Sequence, residues 1–308
     1  MSLPVVTRPV LVLWNYGHWC NMNCSHCYSR PEAAAAAEDM STEDAHAVAQ
    51  HLIDARVLHV HFGGGEPLGR KDFLPIAGKI ANSGATVTLS TNGSLLTEEV
   101  ADALAGIPIE TVAFSIHGSD ATSHDAFNQF DGAWDRLVAA IHRMVERRVR
   151  VKLVSTLTKP VATHAARLVA LAHEWGVYML QFQTFKRHGN ADLNISALEM
   201  TPEEWLSTYR SIQEAVARTQ EVGSALKVDL GLDNDPVLAE RLGLPASQKH
   251  CDCGVFSLTI KPNGDVMACA FTGRVLDNVH RTPLQEIWQT NQYLTSVRQG
   301  LVRPCATL

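Results

Sequence analysis

Short apolar runs alternate with longer amphipathic segments through most of the chain. Six apolar runs predict β-strands, and they lie at residues 9–14, 57–62, 85–90, 111–116, 149–157 and 178–184. Helices are predicted between them, at residues 42–56, 97–105, 132–147 and 163–175. The alternation of strand and helix predicts an α/β fold with a parallel sheet and right-handed crossovers. Active-site residues in such sheets lie at the carboxyl ends of the strands.

The pattern changes in the last third of the chain. Residues 202–222 predict one long helix that begins after Thr201, with Pro202 in its first turn. A loop-rich bridge is expected at 226–245. Beyond it, strands at 255–261 and 266–270 flank a Pro-Asn-Gly-Asp turn, which predicts a β-hairpin. Two short closing helices are expected at 283–288 and 291–298.

Composition narrows the class of protein. The chain is 46% hydrophobic with a net charge of −6, so we expect a packed core rather than disorder. No apolar run approaches about 20 residues, which argues against a membrane span. The first residues show no secretory signal, and the slightly acidic balance favours neither nucleic acid nor membrane as a partner. We therefore expect a cytoplasmic protein, whose seven cysteines serve a metal or redox role.

Three cysteines stand close together after the first predicted strand. Cys20, Cys24 and Cys27 have the spacing C-x3-C-x2-C in one loop. Iron–sulfur clusters are held by cysteine thiolates, usually four, so three would leave one iron open to another ligand. The alternatives are a zinc site completed by His26 or His18, and a chance grouping of cysteines.

A second motif follows the second strand. It reads Gly64-Gly65-Glu66-Pro67, and together with the cysteine triplet it resembles the radical S-adenosylmethionine (SAM) superfamily. The resemblance implies a partial (β/α)6 TIM-type barrel. It also implies a [4Fe–4S] cluster on the three cysteines, with the open iron chelating SAM.

The same resemblance suggests which residues contact SAM. Glycines permit close approach of the backbone, and a carbonyl or carboxylate at the end of the second strand could accept hydrogen bonds from the SAM ammonium group. Ser115 ends the fourth strand, where the family often has Ser-x-Asp, but His117 replaces the Asp. The residues expected to bind SAM are therefore Gly64, Gly65, Glu66, Pro67, Ser90, Asn92 and Ser115.

The C-terminal segment resembles the SPASM/twitch extension of the same superfamily. That resemblance implies a second [4Fe–4S] cluster on Cys251, Cys269 and Cys305, in a small β-hairpin/helix module. Cys253 is an extra thiol, and it is a fourth cluster ligand, a reactive thiol or an inert buried cysteine. The expected division is a barrel at 1–200, a linking helix and loop at 201–250 and a twitch module at 251–308.

The resemblance also implies a reaction. Reductive cleavage of SAM would give methionine and a 5′-deoxyadenosyl radical, which abstracts a hydrogen atom from a small cationic substrate such as an aminoglycoside. We expect epimerisation with Cys253 as hydrogen-atom donor, and an external one-electron reductant such as flavodoxin or ferredoxin. The alternatives are a dehydrogenase of a sugar alcohol or aminocyclitol, a maturase of a ribosomal peptide, and a non-enzymatic iron–sulfur electron carrier.

Overall fold

A single sheet organises the molecule in a computed structural model, which describes residues 6–29, 39–231 and 252–302. Its ten strands have the order β10-β9-β8-β1-β2-β3-β4-β5-β6-β7. Neighbouring strands from β8 through β1 to β7 are parallel, and β8, β9 and β10 form an antiparallel meander. The strands are β1 Leu11–Asn15, β2 His59–Gly63, β3 Thr86–Thr91, β4 Ile109–Ser115, β5 Val151–Leu157, β6 Met179–Thr184, β7 Lys227–Asp229, β8 Ser257–Ile260, β9 Asp265–Met267 and β10 Val275–Asn278.

Helices follow the parallel strands in turn, which confirms the predicted α/β fold with its parallel core. No helix in the described ranges is both long enough and apolar enough to cross a bilayer. The helices are α1 Thr42–Asp54, α2 Phe73–Asn82, α3 Glu98–Ala105, α4 Ala121–Asn128, α5 Ala133–Glu146, α6 Lys159–Ala162, α7 Ala165–Glu174, α8 Asn190–Leu193, α9 Ile195–Leu198, α10 Pro202–Glu221, α11 Leu284–Thr290 and α12 Gln292–Arg298.

The two faces of the sheet differ in polarity. On β2, Val60 and Phe62 are fully buried in the main core, whereas the alternating His59 and His61 are only partly buried. Because successive side chains point to opposite faces of a strand, the two histidines share the face turned away from this core. We call this second face, which includes His59, His61, Thr88, Ser90 and Ser115, the lumen face.

Side-chain caps fix where the two best-defined helices begin. Ser41 caps α1 in a capping box with Asp44. Thr201 and Glu204 form the same arrangement at α10, and Pro202 occupies its first turn. Side chains therefore satisfy backbone N–H groups in the first turns of α1 and α10, at the positions where the sequence predicts that these helices begin.

The sequence-based prediction was wrong in part of the expected 226–245 loop. Lys227–Asp229 forms β7 and extends the sheet by pairing in parallel with β6. Only one of its three residues is apolar, so the run carries no strand pattern of its own. The segment is ordered as a strand because it pairs with the exposed edge of β6. Helices α2, α4, α6, α8 and α9 and strand β10 were also not predicted.

Aromatic packing behind β1 and β2 gives a test of the core. Phe62 is fully buried, with ring centroids 5.3 Å from Trp14, 5.4 Å from Tyr16 and 5.2 Å from Phe73. We expect Phe62→Ala to lower the free energy of unfolding by about 3–5 kcal/mol, because it leaves a cavity among rings that cannot collapse. Urea denaturation measures the loss. Leu58→Ala, at a side chain that is 51% exposed, is the control and should change little.

Candidate functional site

The cysteine loop leaves the carboxyl end of β1 and surrounds its sulfur atoms with polar groups. The Cys20 sulfur accepts hydrogen bonds from the Met22 amide at 3.4 Å and from the Asn92 side-chain amide at 3.7 Å. The Cys24 sulfur lies 3.0 Å from Asn128 Oδ1. The two N–H donors at Cys20 favour its thiolate form, which is the form that binds iron, whereas the Cys24 thiol donates to the Asn128 oxygen.

Two later segments hold this loop in place. The Asn23 amide donates to the Asn128 carbonyl at the end of α4, at 3.1 Å. Asn190, at the start of α8, donates its amide N–H to the Cys27 carbonyl at 2.9 Å and its side-chain N–H to the Cys24 carbonyl at 3.1 Å. Sequence reasoning missed both asparagines, because neither the spacing nor the polarity of an isolated Asn indicates a distant partner.

The glycine-rich loop after β2 is joined directly to the cysteine loop. The Gly65 amide donates to the Gly17 carbonyl at 2.7 Å, and the Glu66 amide donates to the Trp19 carbonyl at 2.8 Å. A Cβ atom at Gly65 would lie 2.1 Å from the Trp19 carbonyl oxygen, so no side chain fits there. The missing side chain at Gly65 thus admits the backbone of the cysteine loop, and the expected SAM contact of this residue stays a prediction.

The Glu66 carboxylate is buried and holds the end of β3. It accepts hydrogen bonds from the Thr91 hydroxyl at 2.7 Å, the Asn92 amide at 2.8 Å and the Leu68 amide at 3.1 Å. Burial raises the pKa of this carboxyl to about 7, although the three donors act in the opposite direction. Its oxygens are thus occupied by donors of the protein itself.

The remaining residues expected to contact SAM lie on neighbouring strands. Asn92 follows β3 and also donates to the Asn21 side chain at 3.0 Å, so it links the cysteine loop to the sheet. Ser90 is on the lumen face of β3, 3.0 Å from His61. Ser115 ends β4, partly buried on the same face. The fold therefore brings Gly64, Gly65, Glu66, Pro67, Ser90, Asn92 and Ser115 to one edge of the sheet, together with the cysteine loop.

Buried imidazoles pack behind the cysteine loop. The His26 and His117 ring centroids are 4.3 Å apart, and Phe127 lies 5.0 Å from His26. Burial lowers the pKa of His26 to about 4 and that of His117 well below its usual value. The backbone amide of His117 donates to His124 Nδ1 at 3.2 Å. These rings are neutral at physiological pH and act as packing groups beneath the loop.

The two histidines considered as zinc ligands are engaged elsewhere. His18 Nδ1 lies 2.6 Å from Asp39, and His26 is packed in the ring cluster. Within residues 6–29, 39–231 and 252–302, no three His, Cys, Asp or Glu side chains lie close enough to hold one metal ion. A [4Fe–4S] cluster instead places each cysteine on a different iron. Three thiols in one loop, with N–H donors at the Cys20 sulfur, fit such a cluster.

The second group of cysteines lies at the other side of the sheet. Cys253 lies within a tight turn, in which the Asp252 carbonyl accepts from the amides of Val255, Phe256 and Ser257. Cys269 is buried after β9. Cys251 and Cys305 lie outside the described residues, so the expected cluster ligands there are not tested.

An aromatic contact connects the two cysteine regions. Phe271, two residues after Cys269, has its ring centroid 5.3 Å from that of Tyr28, which follows Cys27. The Tyr28 hydroxyl donates to Asn15 at the end of β1, at 3.1 Å. Burial raises the pKa of Tyr28 to about 12, so the phenol stays protonated. The segment after β9 thus reaches the cysteine loop at the carboxyl end of the sheet.

Comparison with known families decides between the possible cofactors. Residues 14–161 match the model of the radical SAM superfamily, and residues 251–307 match that of SPASM, described as an iron–sulfur cluster-binding domain. The chain contains a radical SAM domain followed by a SPASM domain. The predicted cofactors, SAM and more than one [4Fe–4S] cluster, are thereby confirmed, and the chain is a radical SAM enzyme.

Similar proteins span most of this radical SAM enzyme. The AdoMet-dependent heme synthase of Methanosarcina barkeri is 24% identical, over 96% of this chain and 86% of its own. The PqqA peptide cyclase of Rhizobium meliloti is 24% identical, over 96% of this chain and 78% of its own. Streptococcus suis SuiB bound to S-adenosylmethionine shares the fold, with a TM-score of 0.77 and 18% identity over 95% of this chain and 68% of SuiB. The predicted partial TIM-type barrel is confirmed.

The contact between Gly65 and Trp19 allows a direct test of the cysteine loop. We expect Gly65→Ala to displace this loop and to remove the first cluster, which lowers the iron content from about eight to about four atoms per chain. Iron analysis of anaerobically purified protein measures the change. Gly63→Ala is the matched control, because the nearest atom to a Cβ there is 3.8 Å away. Unchanged iron content in Gly65→Ala would contradict the role of this contact.

The buried histidines predict a pH dependence of stability. Burial lowers the pKa of His124 to about 4, so the unfolded chain takes up a proton below about 6.5 while the folded one does not. Stability from His124 is therefore complete above pH 6.5 and is lost as the pH falls towards 4. We expect the drop in the free energy of unfolding between pH 7 and pH 5 to be about 1–2 kcal/mol smaller in His124→Gln. Urea denaturation at both pH values checks this, and an identical drop in both proteins would contradict it.

Proposed function

We propose that the enzyme epimerises a carbon of an aminoglycoside, with Cys253 as the hydrogen-atom donor. The observation that carries this proposal is the position of Cys253 relative to the cysteine loop. Cys253 forms a β-bridge with Ser257, whose register partner Leu11 is also paired with His59 at the amino end of β2. Because register partners share one face of a sheet, this row belongs to the lumen side, opposite the end that carries the cysteine loop.

The proposed cofactor contacts follow the cysteine and glycine motifs of the two matched domains. Cys20, Cys24 and Cys27 hold the first cluster, and Cys251, Cys269 and Cys305 hold the second. The backbone of Gly64, Gly65, Glu66 and Pro67, together with Ser90, Asn92 and Ser115, binds SAM. When bound, SAM and the first cluster supply the radical chemistry that removes a hydrogen atom. The barrel at 1–200 carries this reaction, residues 201–250 link it, and 251–308 form the auxiliary-cluster domain.

The lumen face supports a hydroxylated substrate. Along it, strands β3 to β6 present hydroxyl and amide side chains, namely Ser90, Ser115, Thr156, Gln181 and Gln183, in matched register. Neutral donors and acceptors of this kind suit a polyhydroxylated ring, which needs many hydrogen bonds. The net charge of −6 favours attraction of a cationic amino sugar.

Hydrogen return by a thiol balances the reaction. The Cys253 S–H bond breaks homolytically and a new C–H bond forms on the face opposite the first abstraction, which inverts the carbon. The resulting sulfur radical takes one electron from the external low-potential reductant and one proton, and the thiol is restored. The substrate is neither oxidised nor reduced overall.

The test uses the holoenzyme with reductant, SAM and neomycin-type aminoglycosides in heavy water. We expect one deuterium per product molecule and, in ordinary water, a product of unchanged mass. Cys253→Ser is the matched variant, because it keeps the size and polarity but lacks a weak S–H bond. It should still cleave SAM yet form no epimer, as measured by mass spectrometry and chromatography.

Other outcomes identify the alternatives. A product lighter by two hydrogens, without deuterium, would show a dehydrogenase and overturn the epimerase proposal. Full epimerase activity in Cys253→Ser would exclude Cys253 as donor. Cys20→Ser should abolish SAM cleavage altogether, since it removes a ligand of the first cluster.

A further inference from the structure

A continuous chain of hydrogen-bonding side chains runs along the lumen face between β2 and β3. Thr88 Oγ1 lies 2.9 Å from His59 Nε2 and 2.8 Å from His61 Nδ1. His61 Nε2 lies 3.0 Å from Ser90 Oγ. His61 and Thr88 are register partners, so the alternation of each strand places all four side chains on one face. We call His59, Thr88, His61 and Ser90 the relay chain.

The two ends of the relay chain lie in different surroundings. Ser90 is near the carboxyl end of β3, two residues before Asn92, which contacts the cysteine loop. His59 begins β2, next to Leu58, which is 51% exposed. The relay chain therefore spans the sheet from the cofactor end to a solvent-accessible edge.

Both imidazoles are neutral and able to exchange protons. Burial lowers the pKa of His61 to about 4 and also lowers that of His59. The charged groups acting on His59 are Glu110, which favours its protonated form, and Lys152, which opposes it. Lys152 and His59 both oppose protonation of His61. A neutral imidazole donates from one nitrogen and accepts at the other, so it passes a proton without holding a charge.

We propose that the relay chain carries the proton of a substrate hydroxyl between the SAM pocket and the amino end of the sheet. This inference rests on the proposed function, because abstraction of a hydrogen atom from a carbinol carbon makes its hydroxyl more acidic. Loss of that proton stabilises the substrate radical while it awaits hydrogen from Cys253. The same proton returns when the new C–H bond has formed.

The transfer balances at every atom. Ser90 Oγ takes the hydroxyl proton and gives its own to His61 Nε2, and His61 Nδ1 gives its proton to Thr88 Oγ1. Thr88 then protonates His59 Nε2, and His59 Nδ1 releases one proton to water. Each member gains and loses one proton, no electron moves, and the reverse sequence restores the starting state.

The proposed direction of proton transfer predicts which tautomers His59 and His61 adopt, and NMR can measure them. The single Thr88 proton can serve only one imidazole, so a working relay chain requires His59 and His61 to have the same tautomer, both Nδ1–H or both Nε2–H. Long-range ¹H–¹⁵N NMR of the holoenzyme with ¹⁵N-labelled histidine reads each tautomer. Thr88→Val should make the two tautomers independent. Finding His59 as Nε2–H with His61 as Nδ1–H in the unsubstituted protein would overturn the proposal, because both rings would then donate to Thr88.

Turnover gives a second test with a matched control. We expect Thr88→Val to slow epimerisation by about a hundredfold and Thr88→Ser to restore it, while SAM cleavage without substrate stays unchanged. The unsubstituted enzyme should show a solvent isotope effect that Thr88→Val loses. Thr86→Val, on the same strand and face but outside the relay chain, should behave like the unsubstituted enzyme. Equal rates for the two valine variants would overturn the relay chain.

The two proposals fail in different ways. Absence of any aminoglycoside product from the unsubstituted enzyme overturns the proposed function, and the tautomers of His59 and His61 then still decide the relay chain. Normal epimerisation with mismatched tautomers overturns the relay chain and leaves the proposed function standing.

Discussion

The close backbone contact between Gly65 and Trp19 is the constraint on which the site depends. Two amides, those of Gly65 and Glu66, donate to carbonyls of the cysteine loop, and they can do so because Gly65 has no side chain. The loop that carries three thiols is long and irregular, so its own backbone cannot fix it. The segment after β2 orders the loop, because its backbone amides donate hydrogen bonds to the loop's carbonyl groups.

Glu66 extends the same constraint to the next strand. Its buried carboxylate holds Thr91 and the Asn92 amide, and the Asn92 side chain in turn donates to Cys20. The ends of β1, β2 and β3 therefore form one hydrogen-bonded unit around the first cysteine. Such second-layer contacts orient cluster ligands and tune their electronic properties, so they matter as much as the thiols themselves.

The lumen face carries the groups that take part in the proposed reaction. In the proposed reaction, hydrogen is abstracted at the carboxyl end, beside the cysteine loop, and Cys253 adjoins the row at the amino end. The relay chain connects the two levels along β2 and β3. Placing donor and abstractor at opposite ends of one lumen is what inversion of a carbon requires, because the hydrogen must return on the face that it did not leave.

The sequence by itself determined the order of the first six strands and the cysteine and glycine motifs, because these depend on periodicity and on spacing within short segments. It could not show that Asn128 and Asn190 support the cysteine loop, that Lys227–Asp229 is a strand, or that Thr88 joins two histidines. Each of these contacts depends on a residue far away in the chain, and the identity of a single polar residue does not indicate which distant residue it contacts. Only the tertiary structure, by bringing strand ends and loops together, decided which backbone approaches Gly65 and which side chains share the lumen face.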